Sequence, residues 1–285
     1  MSRLTATLAL AVAVLLALSA CGDGGPSNSD RTGTGMALPG NEALLVVGDW
    51  GSGTEAQEEV AAQMEDYAQR HAVGAIVTTG DNFYSDNVGD LMEPFAWATD
   101  ADTPFLISWG NHDLDSQRRI GLIDETFGDQ PRWSTHEWGP LDIVILDSTQ
   151  VDSEQQGRFL VQALTASDDP TIVVSHHPPY SCGSHGGTQS VLTNWVPHFD
   201  DDVFLVLSGH EHNYQRFESD DVTYVVTGGG GQSLTELADC SDDHPGRVAG
   251  EAVHHFIALE LADSLNVTAI DADGEVIDES SLGLP

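Results

Sequence analysis

No lysine occurs anywhere in the 285 residues, and nine arginines face 46 Asp and Glu, a formal net charge of −37. A nucleic-acid surface displaces counterions with clustered basic side chains, and this chain has almost none to spare. Charge-driven adhesion to an anionic bilayer is disfavoured on the same ground. The acidity itself leaves two readings open. It makes a solvated surface that keeps the protein in solution, or it is an adaptation to high salt, where screening removes the self-repulsion. Long apolar runs are missing beyond the first twenty residues, so no later segment reaches membrane-spanning length. Cysteine is scarce as well, at three residues.

What is present begins with an export signature. Arg3 supplies a short positive region, residues 8–18 an apolar run, and Leu18-Ser19-Ala20-Cys21 a small-residue cleavage site. The tetrapeptide resembles a bacterial lipoprotein box, in which Cys21 becomes the lipidated N-terminus; the alternative is an ordinary secretory signal with an incidental cysteine. The expectation is an exported, periplasmic or cell-surface lipoprotein whose membrane attachment runs through the lipid at Cys21 alone. Residues 1–20 are then the signal peptide. Residues 21–40, rich in Gly, Ser, Asn and Pro, read as a flexible tether, and residues 41–285 as one domain. In an oxidising compartment Cys182 and Cys240 are expected to pair.

Five apolar runs organise that domain, because each ends in chemistry. Residues 43–47 lead into Gly48-Asp49-Trp50-Gly51, 75–79 into Gly80-Asp81-Asn82-Phe83-Tyr84, and 105–108 into Gly110-Asn111-His112-Asp113. Residues 171–174 lead into His176-His177-Pro178-Pro179-Tyr180, and 203–207 into Gly209-His210-Glu211-His212-Asn213-Tyr214. Strands that all deliver Asp, Asn, His or Tyr at their C-terminal ends predict ligands along one edge of an α/β sheet. Helices are predicted at 54–71, where Thr54 and Gln57 make a capping box, and at 116–127, 153–164 and 188–195. Residues 85–102 read as a long acidic connection. Strands at 222–227, 254–261, 265–270 and 275–277 close the chain in an antiparallel meander. Asp147, at the end of a strand over 141–146, reads as a turn former.

Three other stretches look like sites and are not. Gly228–Gly231 lacks the Lys-Ser/Thr of a phosphate-binding loop and reads as a close backbone approach near the site or a plain loop. Asp271-Ala272-Asp273-Gly274 lacks the terminal Glu of a calcium loop and sits between strands as a turn. His254 and His255 point to opposite faces of one strand.

Taken together and in order, the five loops resemble the calcineurin-like metallophosphoesterases, and Tyr84 narrows the resemblance to the small, single-domain purple acid phosphatases. The resemblance implies an α/β fold of two packed mixed β-sheets flanked by helices. It implies Asp49, Tyr84 and His212 on a first metal, Asn111, His176 and His210 on a second, and Asp81 bridging both. Such a pair clamps the phosphoryl group, activates water and stabilises in-line displacement at phosphorus. Iron(III) with a divalent iron, zinc or manganese, set against three anionic ligands and a bridging hydroxide, leaves a positive centre suited to a small phosphate ester. A phenolate at Tyr84 points to iron(III), since phenols ordinarily ionise near pH 10. His112 is the expected general acid for the leaving alcohol and His185 a contact to the phosphoryl group. His177, beside a ligand on the same strand end, is expected to face away. Arg118, Arg119 and Arg247 are the cations nearest the motifs. The expected activity is phosphomonoester hydrolysis; the rivals are a phosphodiesterase using two divalent metals and a binding lipoprotein without turnover.

Overall fold

The computed structural model describes residues 32–86, 88–199, 202–240 and 244–285. The expected signal peptide, Cys21 and most of the tether lie outside these residues. The rest of the tether corrects the sequence reading. Residues Thr32–Leu38 form strand β1, which pairs parallel with β5 (Trp133–Trp138) at the edge of a sheet. The Met36 N–H donates to His136 Nδ1 across that pair at 3.2 Å. Folding therefore starts before Asn41. The Thr- and Gly-rich sequence of β1 gave no apolar alternation to read.

Strand β2 (Ala43–Val47) is buried at all five positions, as a continuous apolar run covered on both faces should be. Leu44 and Val46 point to a core shared with Ile143, Ile145, Val174, Leu205 and Leu207, whereas Leu45 and Val47 pack on helix α1 (Glu55–Ala68) through Val60, Ala61 and Met64. One face thus meets a second sheet and the other meets helices.

The first sheet runs β14 (Val276–Leu282), β13 (Leu265–Asp271), β12 (His255–Leu261), β2, β3 (Val73–Thr78), β4 (Phe105–Leu106). The second runs β1, β5, β6 (Leu141–Ile145), β7 (Thr171–Val174), β8 (Val203–Ser208), β10 (Val222–Thr227), β9 (Tyr214–Ser219), β11 (Arg247–Glu251). Outside the second sheet, α5 (Glu154–Leu164) and α6 (Gln189–Asn194) cover Val144, Val173 and Val206 with Leu160, Leu164, Val191 and Trp195. Helix α4 (Gln117–Phe127) joins α1 on the first sheet. The architecture is the expected pair of mixed sheets flanked by helices.

Caps set the helix starts. Thr54 accepts the Gln57 N–H, Ser116 the Arg119 N–H and Ser153 the Gln156 N–H. The Gln57 side chain departs from a simple capping box, because its oxygen takes the Gly53 N–H at 2.7 Å and its amide donates to Leu91 O at 2.6 Å. The connection 85–102 folds into α2 (Val88–Met92), a 3-10 turn and α3 (Ala96–Asp100), with buried Phe95 edge-on to Trp50 at 4.7 Å. Asp271 Oδ1 accepts the Asp273 and Glu275 N–H groups, as its turn role predicts. Cys182 and Cys240 are joined in a disulfide.

Register delivers the loops to one edge. In the first sheet Val47 pairs with Thr78 and Val77 with Leu106, all parallel; in the second Val174 pairs with Leu207. The residues that follow these pairs leave their sheets side by side.

Candidate metal centre

Seven side chains converge where the strand ends meet, and they fall into two groups that share Asp81. In the first, the Tyr84 hydroxyl lies 3.0 Å from Asp49 Oδ1, 3.2 Å from Asp81 Oδ2 and 3.3 Å from His212 Nε2. In the second, His176 Nε2 lies 3.0 Å from Asn111 Oδ1, 3.3 Å from His210 Nδ1 and 3.4 Å from Asp81 Oδ2. Donors held about 2.1 Å from one ion stand about 3.0 Å apart at octahedral angles and about 3.4 Å apart at tetrahedral angles. The distances from the Tyr84 hydroxyl and from His176 Nε2 match that spacing, so the donor set fits a pair of metal ions.

Backbone groups fix the imidazoles. His176 Nδ1 meets Thr79 O at 2.9 Å and His212 Nδ1 meets Ser233 O at 2.7 Å, which commits each Nδ1 as donor and leaves Nε2 for a metal. Asp49, Asp81 and His210 adopt positive φ of 55°, 49° and 70°. Side chains other than glycine seldom sit there, and such strain concentrates at functional sites. Gly110 has to lack a side chain, since a Cβ would stand 2.1 Å from Asp81 Oδ1.

Electrostatics also favour cations here. Burial and the carboxylates of Asp49 and Asp81 push the Tyr84 phenol far above its ordinary pKa. Burial alone would raise Asp81 too, but His176 and the His112 N–H offset it and hold the carboxyl well below the usual range. Asp49, Asp81 and His176 lie fully out of water, with ligand atoms within 4.8 Å of one another.

His112 sits at the rim, half-exposed, its ring 4.7 Å from that of Tyr84. Its Nδ1 meets Asp115 Oδ2 at 2.9 Å, and Arg119 Nη1 donates to both Asp115 Oδ2 (3.0 Å) and His112 O (2.8 Å). His185 is also half-exposed, with its ring 4.7 Å from that of His210. His177 corrects the sequence reading: it does not turn away but packs 4.4 Å from the His210 ring, held by Ser148 Oγ at 2.8 Å. Asp147 is no ligand; it is buried against Arg132 and accepts the Thr149 N–H at 3.0 Å.

Two residues that matter here carried no sequence signal. Asp113, fully buried, accepts N–H groups from Asn82, Phe83 and Gly110 and so locks two ligand loops together. Glu211, between the two histidines of the last motif, accepts N–H groups from the loop that bears His185. Both act on segments far away in sequence, so spacing alone does not reveal them. The Gly228–Gly231 run proves to be a place of close approach, since a Cβ at Gly228 would stand 2.7 Å from Asp49 Oδ2.

The calcineurin-like phosphoesterase family matches residues 43–214, which carry all seven donors. Purple acid phosphatase 3 of Arabidopsis thaliana is 25% identical over 235 residues, 68% of this chain and 64% of that protein. Purple acid phosphatase 7 of the same plant is 26% identical over 67% of this chain and 70% of its own length. Among solved structures, a purple acid phosphatase from yellow lupin seeds superposes with TM-score 0.69 at 18% identity, over 85% of this chain and 53% of that one. GAP50, the anchor in the inner membrane complex of Plasmodium, superposes with TM-score 0.69 at 21% identity, over 86% and 89%. At those identities the superpositions show the fold alone. The fold, the family match and the likeness to purple acid phosphatases agree: this chain belongs to the calcineurin-like phosphoesterases.

Proposed function

We propose that the protein is a phosphomonoesterase of purple-acid-phosphatase type, with a centre of iron(III) at Asp49, Tyr84 and His212 and a divalent ion at Asn111, His176 and His210, bridged by Asp81. The observation that carries this reading is the division of seven donors into two groups at metal-ligand spacing around one shared carboxylate. Bound there, the two ions supply the charge that orients a phosphate ester, activates water and stabilises the displacement at phosphorus.

The chain's own residues do the rest. Asp115 takes the Nδ1 proton side of His112 and leaves Nε2 to give a proton to the departing alcohol oxygen. His185, its ring 4.7 Å from that of His210, is the residue we assign to meet a phosphoryl oxygen. The Tyr84 ring lies 4.7 Å from that of His112 at a tilt of 43°, and the His112 N–H donates to Asp81 Oδ1 at 2.8 Å, which ties the general acid to the bridging carboxylate. The export signature and the lipoprotein-like box at Cys21 support placement outside the cytoplasm on a lipid anchor.

Turnover of a monoester and a diester of the same alcohol by metal-loaded protein tests the activity. The monoester is expected to be favoured in kcat/KM by about 10-fold or more. A preference for the diester would install the phosphodiesterase reading, and binding of phosphate with no turnover of either would install the binding lipoprotein.

A further inference from the structure

We propose that Glu211 is a positioning residue that aims His185 at the phosphoryl group and ties its placement to the metal ligands. This rests on the reading of His185 given above. The Glu211 carboxylate is fully buried, and among the described residues no arginine pairs with it. Its oxygens instead accept the backbone N–H groups of Ser184 (3.2 Å), His185 and Gly186 (2.9 Å) and the Thr235 hydroxyl (3.0 Å). The Ser184 hydroxyl is 3.5 Å away, and His185 Nδ1 lies 3.4 Å from Oε2. Taking a carboxylate out of water is costly unless charge-assisted hydrogen bonds replace the lost hydration. Here those bonds come from three successive residues of one loop, with His185 in the middle.

Away from Glu211 the loop is anchored outside residues 184–186, in part by the Cys182–Cys240 disulfide. Its flanks are tied by Cys182 N to Gln215 Oε1 at 2.8 Å and by Thr188 N to Pro178 O at 2.8 Å. Between them the His185 side chain is half-exposed, and its ring lies 4.7 Å from that of His210 and 6.4 Å from that of His212. Gly183 leaves room for the carboxylate, since a Cβ there would stand 2.4 Å from the carboxyl carbon. Glu211 lies between His210 and His212 in the chain, so one short stretch of backbone sets both the metal donors and the carboxylate beneath His185.

Binding of inorganic phosphate to metal-loaded protein, measured by calorimetry beside metal content, tests this. His185→Ala should weaken phosphate by about 10-fold, the scale of a hydrogen bond to a charged group. Glu211→Gln, which turns an amide toward N–H donors, should weaken it as much while both metals stay bound. The double variant should be no weaker than either single one, because the two changes remove one interaction. If Glu211→Gln does not fold, Gly183→Ala decides, since its methyl displaces the loop and leaves the charge in place; the same loss is expected. Weakened binding in His185→Ala beside wild-type binding in Glu211→Gln or Gly183→Ala, or losses that multiply in the double variant, would overturn this proposal alone. Wild-type phosphate binding in His185→Ala would remove the reading of His185 and this proposal with it.

Discussion

The His112 imidazole is held from three sides: the tilted Tyr84 ring packs against it at 4.7 Å, Asp115 takes Nδ1, and Arg119 clamps both Asp115 and the His112 carbonyl. That arrangement commits the ring to one orientation with Nε2 outward. His112→Ala should therefore keep both metals yet lose about 10²–10⁴-fold in turnover of esters with poor leaving groups. Esters with activated leaving groups need less protonation and should lose less. Asp115→Asn keeps an acceptor for Nδ1 and should sit between wild type and Asp115→Ala on the same series. Equal losses at every leaving-group pKa would contradict the general-acid role. His112 was legible in the sequence because it adjoins Asn111 in a strand-end motif, whereas Asp115 was not, since an acidic residue three places on is common in so acidic a chain.

At the scale of elements, the strands that carry donors were legible because each belongs to a short, mostly buried apolar run that ends in a polar turn. β1, β5, β9 and β11 were not. They are edge or near-edge strands whose sequences mix Thr, Gly, His, Gln, Arg and Glu with few apolar positions, so no period marks them. β9 in addition starts at Tyr214, inside the last ligand motif. The start of β12 carries an acid liability. Burial lowers the His255 imidazole from 6.5 to about 4, with Thr227 at Nε2, the Val253 carbonyl at Nδ1, and His254 and Asp271 nearby. Above about pH 6.5 both folded and unfolded chains hold it neutral, so it costs nothing. As pH falls toward 4 only the unfolded chain takes up the proton, and stability drops by up to about 3 kcal/mol from this residue. Urea unfolding at neutral and mildly acidic pH should show the drop, and His255→Gln should shrink it. An unchanged drop in that variant would assign the acid sensitivity elsewhere.

At the scale of the molecule, the arginines among the described residues are committed. Of the described arginines, Arg70, Arg118, Arg119, Arg132, Arg158 and Arg216 are paired with carboxylates, and Arg247 donates to Ala238 O. The three cations that the sequence placed near the motifs are thus engaged by the protein itself. Among the described residues, no arginine is left without a partner for a second phosphate, and a polyphosphorylated ester is expected to have a kcat/KM about 10-fold or more below that of a monoester of an uncharged alcohol, the gap narrowing with salt. Equal turnover of the two at low salt would contradict this. The same charge predicts that the urea midpoint rises between about 0.01 M and about 1 M NaCl, over which the Debye length falls from about 30 Å to about 3 Å. A flat or falling midpoint would show that self-repulsion does not limit stability.

In a molecule so acidic the proposed centre would be made positive by its metals, and the proposal of iron(III) at the first position rests on Tyr84. The most direct test is the visible spectrum of metal-free protein titrated with iron(III), for wild type and Tyr84→Phe. The account predicts a phenolate-to-iron charge-transfer band that saturates in the wild type and is absent in Tyr84→Phe, with the fold intact in both. A wild type that binds iron(III) without such a band, or a band that survives in Tyr84→Phe, would contradict it.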